Sequence, residues 1–219
     1  MNKVLFENRV DAGKKLAQAL EGMEQELKRP IVLGIPRGGV PVGYVLAKTL
    51  GCELDTIVLR KIPIPSDPEA GYGAVTVDRT VILNQEMLPY LHLSKEEMEQ
   101  GIEEIYQEVK RRNQIYRKGM PFPELKGRSV ILTDDGSATG YTMLTAVKFC
   151  QKEKPKEIIV AVPIASDSAA ELIRPQADQF IVLSISGSFY FAVASFYRRF
   201  EDMFDEEVVE ILEMSRKKN

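Results

Sequence analysis

Between Val130 and Thr142 the chain runs Val-Ile-Leu-Thr-Asp-Asp-Gly-Ser-Ala-Thr-Gly-Tyr-Thr, and few folds can accommodate that order. The apolar residues read as a buried strand. It ends in two adjacent carboxylates, Asp134 and Asp135, followed by a small-residue loop and a helix opening near Tyr141. A buried strand passing so directly into a helix is half of a βαβ unit, which points to a layered α/β domain with a parallel sheet. The two acids then project into a cleft at the sheet's carboxyl edge. Gly136, Ser137, Ala138, Thr139 and Gly140 leave room for backbone N–H groups to converge on an anion. The helix start aims its positive end at the same point. Paired acids for hydroxyls beside an amide nest for a phosphate describe a receptor for a ribose 5-phosphate.

The rest of the chain supplies the layers. Leu16, Leu20, Met23 and Leu27 share one helical face, so residues 9–27 are expected to form an amphipathic helix ended by Pro30. Ile31 to Ile35, bounded by prolines, has the look of a central parallel strand. A helix over Val40–Leu50 with Pro41 in its first turn and a strand over Leu54–Leu59 follow. The next stretch, about 61–84, breaks the rhythm. Pro63, Pro65, Pro68, Gly71 and Gly73 predict a loop, and Ala74–Val77 and Val81–Leu83 a hairpin around Asp78–Thr80. Such a long irregular segment inside a compact domain is expected to be an arm with a functional role. Ser94-Lys-Glu-Glu97 is a capping box, opening a long helix towards Arg117. Strands over Ile158–Val162 and Gln179–Leu183 and a last helix capped by Asp205 complete one domain spanning residues 1–219. Tyr72 and Glu69 lie in the arm, with Glu69 able to reach a bound ligand or simply to be solvated. Cys150 is expected to pack in the core.

Two further segments carry charge to the same edge. Pro36-Arg37-Gly38-Gly39 follows the first strand directly and opens a helix, making a second backbone anion site with a guanidinium beside it. Arg60-Lys61 ends the next strand, and two cations there suit a pyrophosphate.

Composition narrows the remaining classes. With 29 Lys and Arg against 32 Asp and Glu, the net charge of −3 offers no basic footprint for nucleic acid. No apolar run approaches the ~20 residues that span a bilayer, and the amino terminus lacks a signal-peptide core, so no membrane partner and a cytoplasmic location are expected. Two cysteines and a single histidine, His92, argue against a disulfide scaffold, a metal cage or a Ser-His or Cys-His catalytic pair.

The Asp134–Gly140 run, with its apolar strand, resembles the signature by which type I phosphoribosyltransferases bind 5-phosphoribosyl 1-pyrophosphate (PRPP): two acids, two small or apolar residues, then Ala/Asp-Thr-Gly. The likeness extends over nearly the whole chain, through Arg9-Val-Asp-Ala-Gly13, Pro36–Val42, Arg60-Lys61, Pro68-Glu69, Gly73-Ala-Val75 and Ala161-Val-Pro163. It ends at Ala192-Val193, Tyr197, Phe200 and Asp205–Val208, the pattern of a branch without an assigned acceptor. The resemblance implies a three-layer parallel-sheet core with a long flexible hairpin arm (about 61–84) and a small hood (about 187–200). It implies an Mg²⁺-dependent transferase acting on PRPP and a nucleobase-like acceptor in nucleotide metabolism, in a family where homo-oligomers are common. The alternative is a PRPP-binding regulator without turnover. By the same resemblance, Asp134 and Asp135 hold the ribose hydroxyls directly or through Mg²⁺. Gly136 to Gly140 and Thr142 grip the 5-phosphate. Arg37, Gly38, Gly39, Arg60 and Lys61 receive pyrophosphate, with a cis peptide expected at Arg37–Gly38, and Lys61 and Glu69 join the two acids as catalytic residues. Ala138 stands where 6-oxopurine enzymes of the family carry an aspartate, which argues against a hypoxanthine–guanine acceptor. Phe189, Tyr190 and Tyr197 are aromatic candidates for the hood, where a ring could stack on a base.

Overall fold

The computed structural model describes residues 4–23, 25–65, 67–188 and 190–217, with Pro68 and Glu69 described by their backbone alone. Helix α1 (Arg9–Ala19) leads into β1 (Ile31–Gly34), α2 (Gly39–Leu50) and β2 (Glu53–Thr56). Three strands of a separate sheet follow, β3 (Leu59–Ile64), β4 (Asp67–Thr76) and β5 (Val81–Leu83), and then helices α3 (Leu88–Leu91) and α4 (Lys95–Arg117). The chain returns through β6 (Ser129–Thr133), α5 (Tyr141–Lys152), β7 (Glu157–Ser166), α6 (Asp167–Ile173), β8 (Gln179–Ser186) and α7 (Asp205–Arg216). No helix among the described residues is long and apolar enough to cross a membrane.

The main sheet is parallel in the order β2-β1-β6-β7-β8. Alternation divides its side chains between two cores, as a sheet covered on both faces requires. Val32, Ile131 and Ile159 pack under α1, α2, α4 and α7, whereas Leu33, Leu132 and Val160 pack under α5 and α6. Cys150 lies in the second of these cores. The chain crosses from β1 outward to β2 and later returns to β6 on the other side of β1. The crevice at the carboxyl ends of β1 and β6 is therefore a topological switch point, where ligands settle in open α/β sheets. Both glycine-rich loops sit there.

Several elements differ from the sequence expectation. Helix α1 ends at Ala19 rather than near residue 27; Gly22, at φ +88°, turns the chain, and Met23 and Leu27 reach the core from that turn. The run Leu54–Leu59 is two strands in two sheets. Val58 and Leu59 face different cores, and the run Leu54-Asp-Thr-Ile-Val-Leu59 carries no glycine or proline to mark the bend between them. The proline-rich part of the arm is strand rather than loop. β3 tolerates Pro63 at an edge, with the register shifting on either side of it. The expected hairpin forms as β4–β5, with Val75 opposite Val81. Tyr72 is part of the core, 1% exposed, so the base of the arm is firmly packed. Strand β8 runs on to Ser186. Asp205 is the first residue of α7 rather than its cap; the backbone N–H of Phe204 donates instead to Glu207 Oε2 at 2.7 Å. The capping box at Ser94 and Glu97 forms as its residues require, with bonds of 3.1 and 2.8 Å.

Candidate active site

The loop after β6 is built by its neighbours as much as by its glycines. Ser137 N–H donates to Ile164 at 2.9 Å, Ser166 N–H returns the bond to Ser137 at 3.0 Å, and Ser166 Oγ donates to the Ala138 carbonyl at 2.5 Å. The loop is thereby stitched along the end of β7. At Gly136 a Cβ would lie 2.6 Å from Val193 and 2.8 Å from Ile164, so only glycine fits. Gly140, at φ +81°, turns the chain into α5, whose first amides have no intrahelical partner. A cavity of about 450 Å³ opens above it, lined by Lys61, Gly71, Gly73, Asp134 to Gly140, Thr142 and Val193. One wall carries the amide loop with the Thr139 and Thr142 hydroxyls, another the acid pair, and the third Lys61 from the arm.

The acid pair is held from below. Asp135 Oδ2 accepts from Arg9 Nε at 2.7 Å, and Asp134 Oδ1 accepts the Asp135 N–H at 2.8 Å. The Arg9 guanidinium also donates to the Glu201 carbonyl at 2.8 Å and lies 3.9 Å over the Phe200 ring. Burial raises both carboxyls above the ordinary range. At Asp134 the neighbouring Asp135 charge adds to that rise, whereas at Asp135 the Arg9 charge opposes it. The pair resists full ionisation until something positive approaches from the cavity.

The loop after β1 abuts this pair. A Cβ on Gly39 would meet the Thr133 carbonyl at 2.7 Å and Asp134 Cα at 2.8 Å, and one on Gly38 would overlap Asp135 Oδ2. The cis peptide expected at Arg37–Gly38 lies instead between Pro36 and Arg37, since Gly38 has already taken up helical dihedrals as the cap of α2.

Not every candidate gathers in the cavity. Lys61 enters it, but Arg60, on the opposite face of β3, turns to Glu108 on α4. Phe189 and the Glu69 side chain lie outside the described residues. Tyr190 is 84% exposed. Tyr197 is buried beneath the site against Phe6 and Phe200, its hydroxyl donating to the Asp135 carbonyl at 2.6 Å, so its ring supports the acid pair rather than a ligand. Tyr197→Phe should leave that carbonyl without its partner and cost about 1–2 kcal/mol, seen as a fall of a few degrees in thermal midpoint; an unchanged midpoint would mean the carbonyl is satisfied otherwise. Arg9 was not among the expected site residues. An arginine at a helix N-terminus, where the dipole disfavours a cation, was the available signal.

Comparison with known proteins places this geometry. The phosphoribosyl transferase domain model matches residues 5–201. A curated Mycobacterium tuberculosis (strain H37Rv) protein, named "Putative phosphoribosyl transferase Rv0571c", is 35% identical over 213 residues, 97% of this chain and 47% of its own length. The chain thus spans about half the length of the curated relatives it matches. Among solved structures, TT1426 from Thermus thermophilus is 36% identical with a TM-score of 0.77, covering 95% of this chain and 97% of that one. A Neisseria gonorrhoeae protein solved with bound ppGpp shares the fold at 13% identity and a TM-score of 0.52, over 99% of each chain.

Proposed function

Because the chain belongs to the phosphoribosyl transferase domain family, we propose that it transfers the ribose 5-phosphate of PRPP to a nitrogen acceptor of the nucleobase type, with release of pyrophosphate. The observation that carries this reading is the meeting, in one cavity of about 450 Å³, of the amide loop Gly136–Gly140, the carboxylates of Asp134 and Asp135, and Lys61. The 5-phosphate sits on the loop, at the N-terminus of α5, with the Ser137, Thr139 and Thr142 hydroxyls nearby. The 2- and 3-hydroxyls face Asp134 and Asp135. Pyrophosphate lies towards Arg37, Gly38, Gly39 and Lys61.

In the reaction the anomeric C–O bond to pyrophosphate breaks as a C–N bond to the acceptor forms, and the acceptor nitrogen gives up its proton. The sugar passes through an oxocarbenium-like state, so the protein must stabilise positive charge at the ring and negative charge on the leaving group. Asp134 and Asp135 supply the first and Lys61 with the Arg37 loop the second. The arm contributes Lys61, Ala70, Gly71 and Gly73 to the cavity wall, and its closure over bound PRPP would exclude water. Mg²⁺ fits this donor set. Among the described residues no cluster of three or more metal-ligating side chains exists, while two carboxylates face a space that substrate oxygens would fill, the usual setting for this ion. When bound, it would neutralise diphosphate charge.

The test is pyrophosphate release from PRPP and Mg²⁺ across a panel of nucleobases and other nitrogen heterocycles. Release that depends on one acceptor, and falls about a hundredfold in Asp134→Asn, is the expected result. PRPP binding without release under any acceptor would point to a regulator instead, and unchanged turnover in Asp134→Asn would sink the assignment of the acid pair.

A further inference from the structure

Arg60 does not line the cavity and belongs to a cluster of arginines beside the loop after β1. Arg37 from the loop after β1, and Arg111 and Arg112 from α4, converge there on the start of α7. Among the described residues, only two carboxylates face these four guanidiniums in the ion pairs they form. Glu108 pairs with Arg60 and, at 3.3 Å, with Arg112. Asp205 lies 3.6 Å from Arg112, 3.9 Å from Arg111 and 4.0 Å from Arg37, beyond hydrogen-bond length in each case. The hydrogen bond that Asp205 accepts comes from the Tyr116 hydroxyl, at 2.5 Å. Arg112 Nε is buried and has no hydrogen-bond acceptor among the described residues. The surplus of cation is felt locally. Burial, then Arg112 and Arg37, lower the pKa of Arg60 from its ordinary value. An orphaned N–H inside a net positive cluster is costly unless a ligand completes it. Planar guanidinium forks suit a phosphate better than any other ligand.

We propose that Arg112, with Arg111 at its rim, extends the pyrophosphate end of the site, so that the outer phosphate of a diphosphate is taken between Arg37, Arg60 and Arg112. The proposal rests on the PRPP reading and adds α4 to it. Glu108 is then the internal counter-ion from which the incoming phosphate draws Arg60 and Arg112. Asp205, fixed by Tyr116, stays as the post around which the arginines are arranged. The arrangement favours a diphosphate over a single phosphate, because one phosphate on the Gly38–Gly39 loop would leave the α4 arginines unreached.

Calorimetric titrations with inorganic pyrophosphate and, separately, with ribose 5-phosphate test this. Arg112→Gln should weaken pyrophosphate binding by about tenfold or more, the worth of a lost charge-assisted hydrogen bond, and leave ribose 5-phosphate binding unchanged. Glu108→Gln should act in the opposite direction and tighten pyrophosphate binding, since it releases Arg60 and Arg112 from their competitor. If Arg112→Gln fails to fold, the sign of the Glu108→Gln effect decides. Pyrophosphate binding unaltered in these variants, with ribose 5-phosphate still bound, would overturn the proposal and leave the PRPP reading standing. Failure of the wild-type protein to bind ribose 5-phosphate would overturn the reading and the proposal together.

Discussion

Replacing Gly39 by alanine is expected to lower stability and remove PRPP binding in a single step. The added Cβ would meet the Thr133 carbonyl and Asp134 Cα, both backbone atoms of the strand end that carries the acid pair. Neither can rotate away, so β1 and β6 must separate at the switch point. Overpacking of this kind costs about 1–3 kcal/mol, a fall of roughly 3–10 °C for a chain of this size. Gly38→Ala makes the closer contact, but with the Asp135 carboxylate. That variant should lose PRPP binding for a smaller fall in midpoint. Thermal unfolding and PRPP titration of both proteins check the contrast. A Gly39→Ala protein as stable as the wild type, with PRPP affinity intact, would show that the two loops do not meet as described.

Arg9→Gln should be nearly as damaging, for an electrostatic reason. Arg9 and Asp135 form an ion pair in which both side chains are 14% exposed. Removing the cation leaves a largely buried carboxylate beside a second one, at a cost of about 3 kcal/mol. The pH dependence distinguishes this from lost packing. Burial already raises the Asp135 pKa in the folded protein, and Arg9 opposes the rise. Without Arg9 the folded value climbs further above the unfolded one. A carboxyl with a raised folded pKa loses stability as pH rises through that value. The gap between variant and wild type should therefore be widest at neutral pH and narrow as the pH falls towards ~4, the unfolded aspartate range. Asp135→Asn in the Arg9→Gln background should recover part of the stability. A gap independent of pH would assign Arg9 to packing on Phe200 alone.

What could be read in the chain follows from the range of each interaction. The strand, acids, loop and helix of residues 130–142 are consecutive, and their requirements for small residues and a left-handed turn at Gly140 are local. They were legible for that reason. The division of Leu54–Leu59 between two sheets was not, because a short strand-like run without a glycine or proline looks alike as one strand or two. The opposite orientations of Arg60 and Lys61 follow from strand alternation, once β3 is known to be a strand rather than the start of a loop. Arg9 needed the fold itself, since its partner is 126 residues away. The tail aromatics show the converse hazard: Tyr197 has the composition of a stacking platform but lies beneath the acid pair. In sequence the arginines of α4 stand among the charged residues of a long helix, and the position of Asp205 shows Arg111 and Arg112 converging.

The most direct test of the central claim is calorimetric titration of PRPP in the presence and absence of Mg²⁺, with ribose 5-phosphate and NAD as comparison ligands. The account predicts saturable PRPP binding that strengthens with Mg²⁺, weaker binding of ribose 5-phosphate through the Gly136–Gly140 loop alone, and none of NAD. A folded sample that binds NAD and ignores PRPP at any Mg²⁺ concentration would contradict it.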